Sequence, residues 1–374
     1  MRAFRIAVLA AALALAGFAS GAGAEETGPD GRAEFLAGWR EFARPFAPEA
    51  KDRTLAARQE ARLAAIPHLQ AAVAAESQNQ EYRVSLAYVC LTAGRYHKAK
   101  EILDQSIALA PDSPLLRLLQ GQAEAALAQM EPAEASGRIE PALAAFRRAA
   151  KLDPDNGLPL LQAASVAFDV ARPDLAAPLL ALALERKGCT LYRLPIPGEL
   201  GSDHSSSLRI WQYVQYEQWS QLIARCGNVS KAVVRLGADK EKLGELEAAE
   251  QHFRDALSVG RAVGAARPNL YICVNAAIDL MEDSYSNLLR VGEARGSEEA
   301  AVWRNELGVL QIGRGMLGGA LQGYLQEIAT SPPDSVEALL DLEAEGLRMI
   351  IGGIGLTPAS APEPQVAAPA EPPS

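Results

Sequence analysis

Three columns of residues in the first half of this 374-residue chain recur at one spacing, and that spacing limits the folds open to it. Ala65, Ala99, Ala142 and Ala176 stand 34, 43 and 34 residues apart. Leu69, Leu103, Phe146 and Leu180 repeat those three intervals, and so do Ala72, Ser106, Ala149 and Ala183. The interval of 43 is a 34-residue unit carrying nine extra residues near "EPAEASGRI", after which the register resumes unchanged. A fixed period of this length marks a stacked architecture, in which each unit buries its apolar face only against its neighbours.

Inside a unit, the small residue and the large one four positions on share a helix face. Alanine lets a neighbouring helix approach closely, and the larger side chain fills the space between the two. Pro111 and Pro154 follow the second helix of their units, where a proline stops the helix. Each unit is therefore expected to be a helical hairpin, and the fold class all-α, an α-solenoid of such hairpins.

These units resemble tetratricopeptide repeats, whose 34-residue pattern places Ala, a large apolar residue, Ala and Pro in the second helix. Leu236, Gly237, Ala249, Phe253 and Ala256 match the same pattern, and so do Leu307, Gly308, Ala320, Tyr324 and Pro332. The two copies lie 71 residues apart, so the segment between them, "NLYICVNAAIDLMEDSYSNLLRVGEARG", is expected to be a divergent hairpin. The resemblance divides the chain into a first block, residues 46–188, and a second, residues 229–334. It also implies a concave groove lined by first-helix residues, here Val84, Tyr88 and Leu91 of the second unit and Leu158, Leu161 and Phe168 of the fourth. These residues are apolar or aromatic, unlike the Lys, Asn and Arg with which some family members clamp a terminal carboxylate.

The flanking pieces fit around this array. Phe35, Leu36, Trp39, Phe42 and Phe46 recur at near-helical spacing, so residues 25–45 are expected to cap the first repeat, and residues 335–356 to form a C-terminal capping helix. The segment 357–374 is rich in Pro and Ala and is expected to be disordered. At the other end, Arg2 and Arg5 precede an apolar run from Ile6 to Phe18 and the small residues "ASGAGA". That pattern predicts a signal peptide over residues 1–24 and an exported, periplasmic or secreted protein with no membrane span in its mature part.

The formal net charge of −10, from 46 acidic against 36 basic residues, opposes binding to nucleic acid or to an anionic bilayer. Cys90, Cys189, Cys226 and Cys273 show no metal spacing. A Cys189–Cys226 disulfide would close the one odd segment, residues 189–228, and is the pairing this compartment permits.

That segment opens with a proline-bearing loop, continues through "SDHSSS" and enters a helix with Trp211, Tyr213, Tyr216 and Trp219. Asp203, His204 and Ser205 to Ser207 lie side by side, but catalysis needs three groups meeting in space, and the cluster is read as the loop and cap before that helix. Leu208, Trp211, Trp219 and Leu222 share one arc of the helix, which reads as a packed core helix joining the blocks, while Tyr213 and Tyr216 are candidates for partner contact. Gly313, Gly315 and Gly318 have dinucleotide-site spacing but follow a helical stretch, so Gly315 is expected at the turn between two helices. Four histidines show no zinc-ligand spacing.

The expectation is therefore a non-catalytic scaffold or adaptor of the cell envelope, with no cofactor or metal. Its partner would be another exported or envelope protein, held by a peptide or helix in the groove. A hydrolase with its site in residues 189–228, and a purely structural spacer, are the alternatives.

Overall fold

The computed structural model describes residues 30–47, 50–52, 54–130, 135–190, 192–197, 200, 204–266, 271–331 and 336–356. The expected leader, residues 1–24, and tail, residues 357–374, lie outside the described residues.

The first three helices start at short polar caps. Helix α1 (Gly31–Ala43) begins at Asp30, whose carboxylate accepts from the N–H groups of Arg32 and Ala33 at 3.0 and 3.3 Å. Thr54 caps α2 (Leu55–Ala75) and Asn79 caps α3 (Gln80–Thr92) in the same way. There follow α4 (Tyr96–Leu109), α5 (Pro114–Met130), α6 (Ala135–Leu152), α7 (Leu158–Asp169) and α8 (Pro173–Leu184). After an irregular linker come α9 (His204–Lys242), α10 (Leu246–Ala266), α11 (Tyr271–Arg295), α12 (Ala300–Thr330) and α13 (Val336–Gly353). Among the described residues the fold is all-α, with one isolated bridge between Asn156 and Gly188.

The repeating columns sit where their spacing placed them. Ala65, Leu69 and Ala72 are fully buried on α2, Ala99, Leu103 and Ser106 on α4, Ala142, Phe146 and Ala149 on α6, and the fourth set is buried on α8. Against three of the large residues stands a glycine from the first helix of the hairpin. A Cβ on Gly121 would lie 2.5 Å from the Phe146 ring, one on Gly237 2.6 Å from the Phe253 ring, and one on Gly38 2.7 Å from Leu69. The Gly38 contact shows that α1, besides ending the array, is the first helix of the first hairpin with α2.

The turns α3–α4, α7–α8 and α9–α10 share one device. Gly94 and Gly244 adopt φ of +73° and +78°, and the residue after each donates back to the helix, Arg95 to the Cys90 carbonyl and Glu245 to the Lys240 carbonyl. This is the glycine-terminated helix end in which only a residue without Cβ is unstrained. Ala171 takes that place in the α7–α8 turn with φ 56° and the same hydrogen bonds.

The second half departs from the expected hairpins. The segment expected as a divergent hairpin is a single helix, α11, and α12 runs unbroken through Gly315. The glycine has the right register for a turn but no folded-back partner: Gly308, the counterpart of Gly237, has nothing within 4 Å of a built Cβ. Tyr324, the counterpart of Phe253, packs instead with Ile328 and Leu339. Helix α13 folds over α11 and α12, placing Leu347, Ile350 and Ile354 in the same core as Ile278, Leu310 and Leu317.

Candidate protein-interaction site

The inner face of the first four hairpins is built by matching positions of α1, α3, α5 and α7. The middle position of each is Trp39, Tyr88, Gln122 and Ser165, flanked one turn away by Phe35 and Phe42, Val84 and Leu91, Leu118 and Ala125, and Leu161 and Phe168. In α1 and α3 the aromatic rings interlock, with Trp39 and Phe42 at 5.3 Å and Trp39 and Tyr88 at 6.5 Å between centroids. Further along, Gln122 Nε2 donates to Gln162 Oε1 at 3.0 Å.

This face is not open, which corrects the expectation of a vacant groove. Val84, Tyr88, Leu91, Leu158 and Leu161 are all buried, and Phe168 is half-buried. What covers the face is the chain's own linker and α9. Leu194, Leu200 and Val214 are buried in one core with Trp39, Val84, Tyr88 and Leu91, and Ile196 packs against it. Trp219, Cys226 and Val229 join Leu158, Leu161 and Phe146 in the next. The physical reason is that the linker and α9 carry too many apolar side chains to leave in water, and the solenoid's inner face is the apolar surface within their reach.

Polar groups fix the arrangement. Trp39 Nε1 donates to Ser85 Oγ at 3.2 Å, and Ser85 Oγ donates to the Pro195 carbonyl at 3.5 Å. Asn156 Nδ2 donates to the Thr190 carbonyl at 2.8 Å, and the Thr190 N–H donates to Asn156 Oδ1 at 2.9 Å. Arg58 and Arg62 of α2 both pair with Glu217 of α9. Burial, with Glu217 nearby, pushes the Tyr88 hydroxyl well above the ordinary tyrosine range.

Of the two tyrosines expected to meet a partner, Tyr216 is half-buried and donates to Glu343 Oε1 of α13 at 2.6 Å, so its hydroxyl is engaged within the chain. The side chain of Tyr213 lies outside the described residues. Glu343, itself buried, also accepts from the Tyr271 N–H at 2.7 Å, tying α9, α11 and α13 together.

No disulfide joins the four cysteines, all of which are buried, so the structure does not form the expected Cys189–Cys226 bridge. Both thiols, together with Cys273, nevertheless belong to one core, contributed by the linker, α9 and α11. Burial pushes Cys90 up to about 11 and Cys189 up to about 12. Cys226 is raised further by burial and by its neighbours Cys189 and Cys273. Nothing in their sequence separation signals that the last three meet.

Of the "SDHSSS" cluster, read as the loop and cap before a helix starting near Leu208, residues 204–207 instead form the first turn of α9, which begins at His204, and Ser207 is buried. Asp203 and the side chains of His204, Ser205 and Ser206 lie outside the described residues. Among the described residues no group of three His, Cys, Asp or Glu side chains is placed to hold a metal ion, and no helix is long and apolar enough to cross a membrane.

Residues 56–123, spanning α2 to α5, match the tetratricopeptide repeat family model. No curated protein matches the chain.

Proposed function

We propose that the protein is a non-catalytic interaction scaffold of the bacterial cell envelope, exported by its first 24 residues and binding another exported or envelope protein. The observation that carries the reading is the array of helical hairpins matched over residues 56–123 to a repeat family that mediates protein–protein interaction. The apolar, aromatic inner face suits a peptide or helix as partner, because it rewards burial of apolar side chains rather than capture of charge. The acidic balance of the chain supports a protein partner over nucleic acid.

The test is fractionation followed by crosslinking. Full-length protein expressed in a Gram-negative host should be recovered outside the cytoplasm with the mass of residues 25–374. In the native host, crosslinking should then capture one defined envelope protein. Retention in the cytoplasm at full mass overturns the export reading, and the lack of any specific crosslinked protein overturns the scaffold reading.

A further inference from the structure

The linker covers the inner face unevenly. At its root it is held firmly: Asn156 engages both backbone groups of Thr190, and the Gly157 N–H donates to the Gly188 carbonyl at 2.7 Å. Further along, the stretch Leu194–Pro197 is tied to the repeats, among the described residues, by the Ser85 Oγ bond to Pro195 at 3.5 Å, the outer limit of a hydrogen bond. Beneath the cover, the hydroxyl of Tyr88 on α3 is sealed from water with no hydrogen-bond partner, in a side chain only 4 % exposed. A buried hydroxyl without a partner is unfavourable relative to a hydrated one. The linker thus meets the apolar demand of this face and leaves its polar demand unmet. Pro195 and Pro197 contribute to the misfit, since neither brings a backbone N–H.

We infer that the inner face of α3 is a groove for an extended peptide, held shut by residues 192–197, which swing out about Thr190 when a better occupant arrives. The inference rests on the scaffold reading and names both the chemistry of the ligand and the device that regulates it. The occupant is an extended segment of another protein, carrying Leu or Ile at alternate positions as Leu194 and Ile196 do here. Unlike the linker, it keeps backbone N–H and carbonyl groups free for Tyr88. Residues 192–197 already show the form such a ligand takes, since they run without regular secondary structure. Helix α9 stays in place during opening, because Glu217 anchors it to Arg58 and Arg62 independently of the linker. A groove that is shut most of the time binds with an apparent affinity reduced by the fraction of time it is open.

The test uses the full chain and a fluorescein-labelled peptide of residues 190–200 with both linker prolines replaced by alanine. Loosening the cover with the pair Leu194→Ser, Ile196→Ser should tighten peptide binding by about tenfold or more over wild type in fluorescence anisotropy. Adding Val84→Asp in the groove should abolish the gain. Equal binding by wild type and the loosened variant, with both folded by circular dichroism, overturns the proposal. If the loosened variant does not fold, hydrogen exchange of the wild type decides. The amides of Tyr192, Arg193, Leu194 and Ile196 should exchange faster than those of α3, and faster still with excess peptide. Exchange of these amides only together with α3 overturns the proposal. Neither arm needs the natural partner, so a failed capture experiment and a failed peptide experiment remain distinguishable.

Discussion

Asn156 and Thr190 stand 34 residues apart and are joined by two hydrogen bonds, the carboxamide of one donating to the carbonyl and accepting from the N–H of the other. The same Asn156 Oδ1 accepts from the Leu158 N–H at 3.0 Å, so one buried side chain starts α7 and fixes the root of the linker. Asn156→Ala should destabilise the fold by about 2–3 kcal/mol, because it strands buried backbone groups rather than merely losing bonds. Urea unfolding measures it, and a change under about 0.5 kcal/mol, the size of an ordinary surface substitution, would count against the arrangement.

Ala171 holds a left-handed turn that Gly94 and Gly244 hold elsewhere. A Cβ there costs roughly 1–2 kcal/mol, partly offset in glycine by the greater freedom of its unfolded chain. Ala171→Gly should therefore raise stability by about 0.5–1 kcal/mol, one of few sites where introducing glycine helps. Thermal unfolding should show a higher Tm, and a lower one would mean that the turn is not left-handed.

Glycines of α9 and α12 should respond in opposite directions to alanine. Gly237→Ala drives a Cβ to 2.6 Å from the Phe253 ring, an overpacking worth about 1–3 kcal/mol of destabilisation. Gly315→Ala meets nothing within 4 Å inside a continuous helix and should stabilise by about 0.5–1 kcal/mol. A destabilising Gly315→Ala would restore the turn that the repeat pattern leads one to expect there.

That contrast shows where the sequence is legible. Alanine and leucine columns report a packing rule that acts locally, helix against next helix, so the hairpins of α2 to α8 and the α9–α10 pair follow from spacing alone. Gly315 keeps the register of a turn, but whether a turn forms depends on whether Tyr324 can reach Gly308, which is a tertiary matter. The site was harder still. Val84 and Tyr88 were identifiable as inner-face residues, yet their cover, Leu194 and Val214, comes from over a hundred residues further along the chain. One signal was present: a segment holding Leu194, Ile196, Trp211 and Trp219 has to bury them somewhere, and the apolar groove is the nearest place.

The thiols give stability a dependence on alkaline pH. Cys90 and Cys189 titrate near 11 and 12 in the fold against 9.0 for an unburied thiol, so between these values the folded chain holds protons that the unfolded chain has released. Stability is therefore fully present below about pH 9 and falls as pH rises beyond it, by up to about 1.4 kcal/mol per unit for each thiol. Urea midpoints should drop between pH 8.5 and 10.5, less steeply in Cys90→Ala. A flat profile, or an unchanged slope in that variant, would show that the thiol is not buried.

The central claim is that the chain fills its own groove, and the Arg62–Glu217 pair measures it most directly. These residues are 155 positions apart, and their side chains are only 15 % and 14 % exposed, which sets them apart from weak surface ion pairs. A double-mutant cycle with Arg62→Ala and Glu217→Ala, read by urea unfolding, should return a coupling of about 1–3 kcal/mol. Additivity within about 0.5 kcal/mol would mean that α9 does not lie across α2, and that the inner face is open.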